Sequence, residues 1–498
     1  MTYFTKKTVK FDKILPFLIL LIVISRIPFL SLGFGYDIDG WVVVNTAYFF
    51  NQTGQYIVSR GLGHPLFEFL IAGLLRLNSS EIIPDWILTN SIVLISFLLS
   101  VILFYKILKA WKIENPYLLI FTYSFMPVLW RNSTMTDDFL ISLMFILLAQ
   151  YLLINNRFIY SSIALSFACG TRFENSIIIL PFILLLWLIT KNRRLIISYL
   201  LIWGIIIAIF LMPYIANYGT FTYEQYKEVG ELKSNFMMYF LKAGYRGIYW
   251  FLGIDAAIFL IGGLLLKRLQ IKKLSDKILA LNPEYIFSFS TVLVFILLFI
   301  KFPYKQEYLL PMIPSLFILL NFILGKKNFL IFSLICILNG FIMIPGVEVK
   351  FSPEGKIYSE IHAVAKGTLI DDINKRLDLM KAKSFLNENS FPPNSIILWH
   401  RYQIAYAYFI RDKILDEGYV VKKGKLLHLD GYYDRKHNIF FINLGRLYFG
   451  NAEAFRKTLE THKIYYLPCT VSHIYSEEGI DIMKYNPELI KNIAPNEY

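Results

Sequence analysis

The chain has 498 residues, 56% of them hydrophobic and 17% charged, with a formal net charge of +14. That apolar share excludes an ordinary soluble globular protein and points to a polytopic membrane protein. The positive charge does not point to nucleic acid, because lysines in such a chain mark cytoplasmic loops. Three scattered cysteines, Cys169, Cys336 and Cys469, lack metal spacing and imply no disulfide framework.

The first apolar run, 14–34, follows Lys6, Lys7, Lys10 and Lys13 and is too long for a signal h-region, so it reads as a retained anchor. Ten further spans are predicted at 84–106, 116–130, 137–154, 158–171, 174–190, 195–216, 248–266, 284–301, 308–325 and 328–346. The segment 66–77 is short for a span, and counting it would invert the charge pattern after it. It is predicted as a juxtamembrane or re-entrant helix at the outer face. With the N-terminus cytoplasmic, the inside connections carry Lys106, Lys109 and Lys112, then Arg157, then Lys191, Arg193 and Arg194, then Lys267 to Lys277, then Lys326 and Lys327. Each inside loop is basic, as the positive-inside rule requires.

After Pro345 the composition becomes mixed and charged, and residues 347–498 hold six of the seven histidines. Strand-like runs at Ser395–Trp399, Asn438–Asn443 and Lys463–Leu467 alternate with helical patterns at Asn374–Phe385 and Ala452–His462. The alternation predicts a small soluble α/β domain. The expected architecture is an α-helical polytopic membrane protein of about eleven transmembrane helices. It comprises a transmembrane domain at 1–346, whose external loop 35–83 carries an acidic motif, and an extracytoplasmic α/β domain at 347–498.

The acidic motif is Gly35-Tyr-Asp-Ile-Asp-Gly-Trp41, followed by Ser59-Arg-Gly-Leu-Gly-His-Pro65. Further ionisable residues gather at span ends on the same predicted side. They are Asp137 and Asp138, then Arg172 and Glu174, then Lys301, Lys305, Glu307 and Tyr308. Charges near hydrocarbon are costly and face a cavity or one another. Structural readings exist for each: Asp137 or Asp138 as a helix N-cap, Arg172 with Glu174 as a salt bridge, Lys301 and Lys305 as snorkelling lysines, His64 as a turn residue. Asp37 and Asp39 are explained least well as plain surface acids.

Together these residues suit a lipid-linked phosphate donor entering from the bilayer. Arg60, Arg172, Lys301 and Lys305, with His64, would bind its phosphate. A carboxylate, Asp37 or Asp39, would act as base toward an acceptor hydroxyl. Asp137, Asp138, Glu174, Glu307 and Tyr308 are the candidate sugar or acceptor contacts.

At these residues the chain resembles the GT-C membrane glycosyltransferases, the superfamily of protein O-mannosyltransferases and lipid A aminoarabinose transferases. Asp39 falls at the family's external-loop Asp. Ala47 and Gly54 follow at matching spacing, and His64-Pro65-Leu66 stands where Pro-Pro-Leu is found. Thr136-Asp137-Asp138, Gly170-Thr-Arg172 and Tyr308-Leu-Leu-Pro311-x-x-Pro314 are similar to its span-end motifs. The resemblance implies inverting sugar transfer from a polyprenyl-phosphate donor to a protein, lipid or glycan hydroxyl at the outer face of the cytoplasmic membrane, with Asp39 as base. The acid expected after Asp39 is Gly40 here. Asp37 therefore takes that role, or Asp37 and Asp39 hold a divalent cation, Mg or Mn; the sequence leaves the metal open. The competing readings are a lipid-linked saccharide flippase or transporter, and a ligase or polymerase using diphosphate-linked glycans.

Overall fold

A computed structural model describes residues 13–60, 63–80, 82–219, 236–351 and 357–388, together with the strands at 395–399, 431–434, 439–443, 463–466 and 490–491. The chain is a helical, multi-span membrane protein. Five helical segments are long and apolar enough to cross a bilayer: Asp85–Ala110, Phe173–Thr190, Arg193–Tyr218, Pro283–Lys301 and Gln306–Leu338. A bent pair, Phe240–Trp250 with Ile254–Leu266, makes a sixth if counted as one span. Other apolar helices are shorter, and at about 1.5 Å per residue a 16-residue helix reaches only about 24 Å against a core of about 30 Å.

The chain divides into two compact units. The first comprises residues 1–31, 64–67 and 88–371. Its helices are α1 (Ile14–Arg26), most of α4 (Asp85–Ala110), α5 (Pro116–Phe125), α6 (Pro127–Asn132), α7 (Phe139–Ile154), α8 (Phe158–Thr171), α9 (Ile179–Thr190), α10 (Arg193–Tyr218), α11 (Phe236–Gly244), α12 (Ile254–Leu266), α13 (Arg268–Leu279), α14 (Pro283–Lys301) and α15 (Ile313–Leu338). α7 packs on α8, α8 on α10, and α14 on α9 and α15. Gly170 permits the close crossing of α8 and α10, since a Cβ there would lie 2.4 Å from the Phe210 ring. Small residues let membrane helices approach in this way.

Several span boundaries differ from the sequence expectation, each for a local reason. Pro127 cannot continue the hydrogen-bond ladder, and Met126 before it turns extended (ψ 128°), so the run 116–130 becomes α5 and α6. The span expected at 248–266 is broken at Gly253 (φ +89°), behind a π-helical turn at Tyr245–Trp250, and its two halves meet at 93°. Within the element Ile313–Leu338 two helices meet at a kink at Gly325 (φ +72°), the break expected between the spans 308–325 and 328–346. That element ends at Leu338, and the stretch assigned to the last span instead enters strands β1 (Ile342–Met343) and β2 (Gly346–Phe351). β2 pairs antiparallel with β3 (Ile357–His362), Gly346 opposite His362, and β1 with β4 (Ala365–Lys366).

Arg26, fully buried at the end of α1, ties this unit together. It donates to Ser25 Oγ, to the Ser124 carbonyl and to Ser133 Oγ, and lies over the rings of Phe97, Phe125 and Trp130. Hydrogen bonds and ring faces together compensate a guanidinium taken out of water.

The second unit comprises residues 32–63, 68–87 and 372–498. It contains α2 (Ile38–Thr53), most of α3 (Pro65–Leu77) and most of α16 (Thr368–Glu388). α2 lies within the stretch expected as an external loop. α3 matches the predicted short helix; Ile71, Ala72 and Leu75 are buried while Phe69, Leu70 and Leu77 are exposed, the division expected of a helix at an interface. α16 docks by cations: Lys375 lies over Tyr36, Lys383 over Trp86, and buried Arg376 donates to the Leu32 carbonyl. Burial pulls the Arg376 guanidinium below its ordinary value, and Asp372 opposes that shift.

The remaining strands form one five-stranded sheet in the order β6 (Gly431–Asp434), β7 (Ile439–Asn443), β5 (Ser395–Trp399), β8 (Lys463–Tyr466), β9 (Ile490–Lys491). β5 is parallel to β7 and β8, β8 to β9, and β6 is antiparallel to β7. The strands β5, β7 and β8 occupy the three apolar runs singled out in the sequence. The helix expected at 452–462 lies outside the described residues.

Candidate functional site

The acidic motif belongs to the second unit and is built around the start of α2. Asp37 is the N-cap: its Oδ1 accepts from the Asp39 backbone N–H at 3.1 Å. Asp39 therefore sits in the first helical turn, where the dipole favours a negative charge. The turn before it is fixed by Trp41, whose indole N–H donates to the Gly35 carbonyl at 2.7 Å and whose ring meets Phe34 edge-on. The aromatic packaging visible in the sequence thus anchors the helix start.

α2 ends at Gly54 (φ +69°), a left-handed residue whose N–H bonds back to Phe50 at 2.8 Å. The returning segment is held by Glu68, a residue sequence reasoning passed over. Its buried carboxylate accepts from Tyr56, from Ser59 Oγ and from the Ser59 N–H at 2.8 Å. Arg60 follows directly, and its Nη1 donates to Asp39 Oδ2 at 2.5 Å. Asp39 and Arg60, 21 residues apart in the chain, form one ion pair.

In the first unit, three separate motifs converge. Asp138 precedes α7 and is fully buried. Its Oδ1 accepts from Arg172 Nη1 at 2.5 Å, and its Oδ2 lies 3.0 Å from His64 Nδ1. His64 Nδ1 is also 3.0 Å from the Thr171 carbonyl. Arg172 follows α8, lies 3.7 Å above the Phe139 ring and 5.3 Å from that of Tyr308, and reaches Glu174 Oε1 at 3.7 Å. Asp137 accepts the Asp138 N–H through its own carboxylate at 2.7 Å. His64, Asp138, Arg172 and Glu174 are thus one charged network, buried at the first three and partly exposed at Glu174, with Tyr308 on its edge.

Glu307 is part of a second buried pair, with Arg131 as its partner. With its amide oxygen turned toward the guanidinium, Gln306 accepts from Arg131 Nη2 at 2.7 Å. Arg131 was missed from sequence because it ends an apolar run, where a lone arginine looks interfacial. Lys301 is exposed at the end of α14, over the Phe302 ring, and Lys305 stands before the 3₁₀ turn Gln306–Met312. Arg246 braces that connection by donating to the Pro303 and Tyr304 carbonyls.

A divalent cation finds little here. Asp37 spends one oxygen on the cap and Asp39 one on Arg60, and among the described residues no three His, Cys, Asp or Glu side chains gather as a ligand set. The donor set does not fit a cation held by the protein alone.

No family model matches the chain, and no curated protein matches it. Among solved structures it is similar to the crystal structure of ArnT from Cupriavidus metallidurans in the apo state, with a TM-score of 0.41 and 12% sequence identity. That likeness covers 61% of this chain, which spans 59% of the length of the other.

Proposed function

We propose that the chain is a GT-C-type glycosyltransferase that moves a sugar from a polyprenyl-phosphate carrier to an acceptor hydroxyl with inversion. In this reading it crosses the cytoplasmic membrane about eleven times, with the N-terminus inside and the catalytic residues and α/β domain outside. The observation that carries the reading is the network of buried His64, Asp138 and Arg172, with partly exposed Glu174, among apolar helices. A fold that needed only to span a membrane would not bury an acid, an arginine and a histidine together, and such groups mark functional pathways. The sequence resemblance supplies the reaction class.

Asp39 acts as the base that takes the proton of the acceptor hydroxyl. Arg60 orients its carboxylate and brings a positive charge to the phosphate side. Arg172, His64, Lys301 and Lys305 balance the charge that grows on the departing phosphate. Asp137, Glu307 and Tyr308 shape the sugar or acceptor side.

The test is release of free polyprenyl phosphate from a panel of labelled polyprenyl-phosphate sugars by membranes containing the full chain. Release from one donor is expected and identifies the sugar. Silence with every donor, from folded protein, would favour the second reading, a lipid-linked saccharide flippase. The 93° break between Phe240–Trp250 and Ile254–Leu266 is the observation on that side, since transporters use discontinuous helices.

A further inference from the structure

His64 stands just before α3, and its two ring nitrogens have different surroundings. Nδ1 faces two acceptors, Asp138 Oδ2 and the Thr171 carbonyl, each at 3.0 Å, so it carries a proton whatever the charge of the ring. Nε2 makes no hydrogen bond among the described residues. The ring is 5% exposed and held in one orientation. The charged groups around it are Asp138, which it touches, Arg172 and Glu174, which continue the network, and Asp137, which accepts the Asp138 N–H. Three carboxylates, Asp137, Asp138 and Glu174, stand against one guanidinium, so an imidazolium at His64 has carboxylate partners there.

Resting on the transferase reading above, we propose that His64 is the proton donor to the departing phosphate and not only one of its ligands. As the acceptor oxygen bonds to the anomeric carbon, the bond from that carbon to the phosphate oxygen breaks, and its electron pair stays on that oxygen. Nε2 gives this oxygen its proton, leaving a neutral ring still fixed through Nδ1. The acceptor's proton goes to the carboxylate base and from there to solvent, and Nε2 takes a proton back from solvent before the next turnover, so protons and charge balance. The match is chemical: an imidazolium is a general acid that can give one proton to a phosphate oxygen as negative charge grows on it. Asp138 and the Thr171 carbonyl are then positioning groups that select the tautomer.

The experiment is the pH profile of polyprenyl phosphate release by full-length wild type, His64→Gln and His64→Ala in membranes. Wild-type turnover is expected to fall about tenfold per pH unit on the basic side. His64→Gln, whose amide can still donate to Asp138, is expected to lose about 100-fold near neutrality and to lose that basic limb. Imidazole added to His64→Ala is expected to restore at least about tenfold. If the variants fold poorly, wild type alone suffices: a phosphorothioate donor, whose leaving group needs the proton less, should flatten the basic limb. An unchanged basic limb in His64→Gln, or in wild type with the phosphorothioate, overturns the proposal while leaving sugar transfer standing. A wild type silent with every donor overturns the transferase reading itself.

Discussion

Arg131 and Glu307 show how this chain keeps charge in an apolar setting. Both side chains are almost wholly buried, and each is the other's main compensation. Removing one partner leaves the other charge stranded, which costs about 3–5 kcal/mol, whereas replacing both by apolar groups of similar volume costs much less. Arg131→Ala should therefore lower the thermal unfolding midpoint markedly in detergent, and the double variant Arg131→Met, Glu307→Leu should recover most of it. A neutral Arg131→Ala would mean that the pair is not closed in the membrane-embedded protein. Legibility at this scale follows from neighbours. Asp138 and Arg172 stand out because acids and arginines interrupt apolar runs beside other polar residues, and they are in contact at 2.5 Å. Arg26 and Arg131 were unreadable because each follows an apolar run singly, and their partners, the Ser124 carbonyl and Glu307, come from distant segments. Glu68 was hidden inside a short apolar helix, where its three donors from Tyr56 and Ser59 could not be foreseen.

At the scale of elements, α2 is the clearest departure from the sequence reading. Residues Gly40 to Ala47 are buried on every side, so they show no one-faced periodicity, and the stretch was read as a loop. The caps explain two motif residues without chemistry. Gly54 supplies the left-handed C-terminal residue, and Asp37 accepts from the Asp39 N–H in the first turn. This makes Asp37 separable from Asp39. Asp37→Ser, which still caps, should keep near-normal turnover, while Asp37→Ala should lose about 1 kcal/mol of stability. Loss of turnover in Asp37→Ser with stability intact would instead give its carboxylate a direct role. The breaks at Pro127, Gly253 and Gly325 were each marked by a breaker residue, but a breaker does not announce whether the chain bends, kinks or leaves the bilayer.

For the molecule as a whole, hydropathy made the membrane class legible, and short apolar runs located strands β5, β7 and β8. What one sequence could not supply was the number of crossings, because helices of 13–16 residues are too short to be assigned by length alone. The proposed topology is open to direct labelling. In a variant with Cys169, Cys336 and Cys469 replaced, a cysteine at Glu360 should react with an impermeant maleimide on intact cells, and one at Lys273 only after permeabilisation. The reverse pattern would put the α/β domain and the basic helix α13 on the opposite sides.

The measurement that bears most directly on the account is release of free polyprenyl phosphate from the cognate labelled donor by wild type and Asp39→Asn, with donor binding measured in parallel. The substitution keeps the shape of the side chain at the start of α2 and removes the charge that faces Arg60. The account predicts release by wild type and a loss of at least about 100-fold in Asp39→Asn, with donor affinity within a few-fold of normal. Full release by Asp39→Asn would contradict it, since no base at Asp39 would then be needed for the sugar to move.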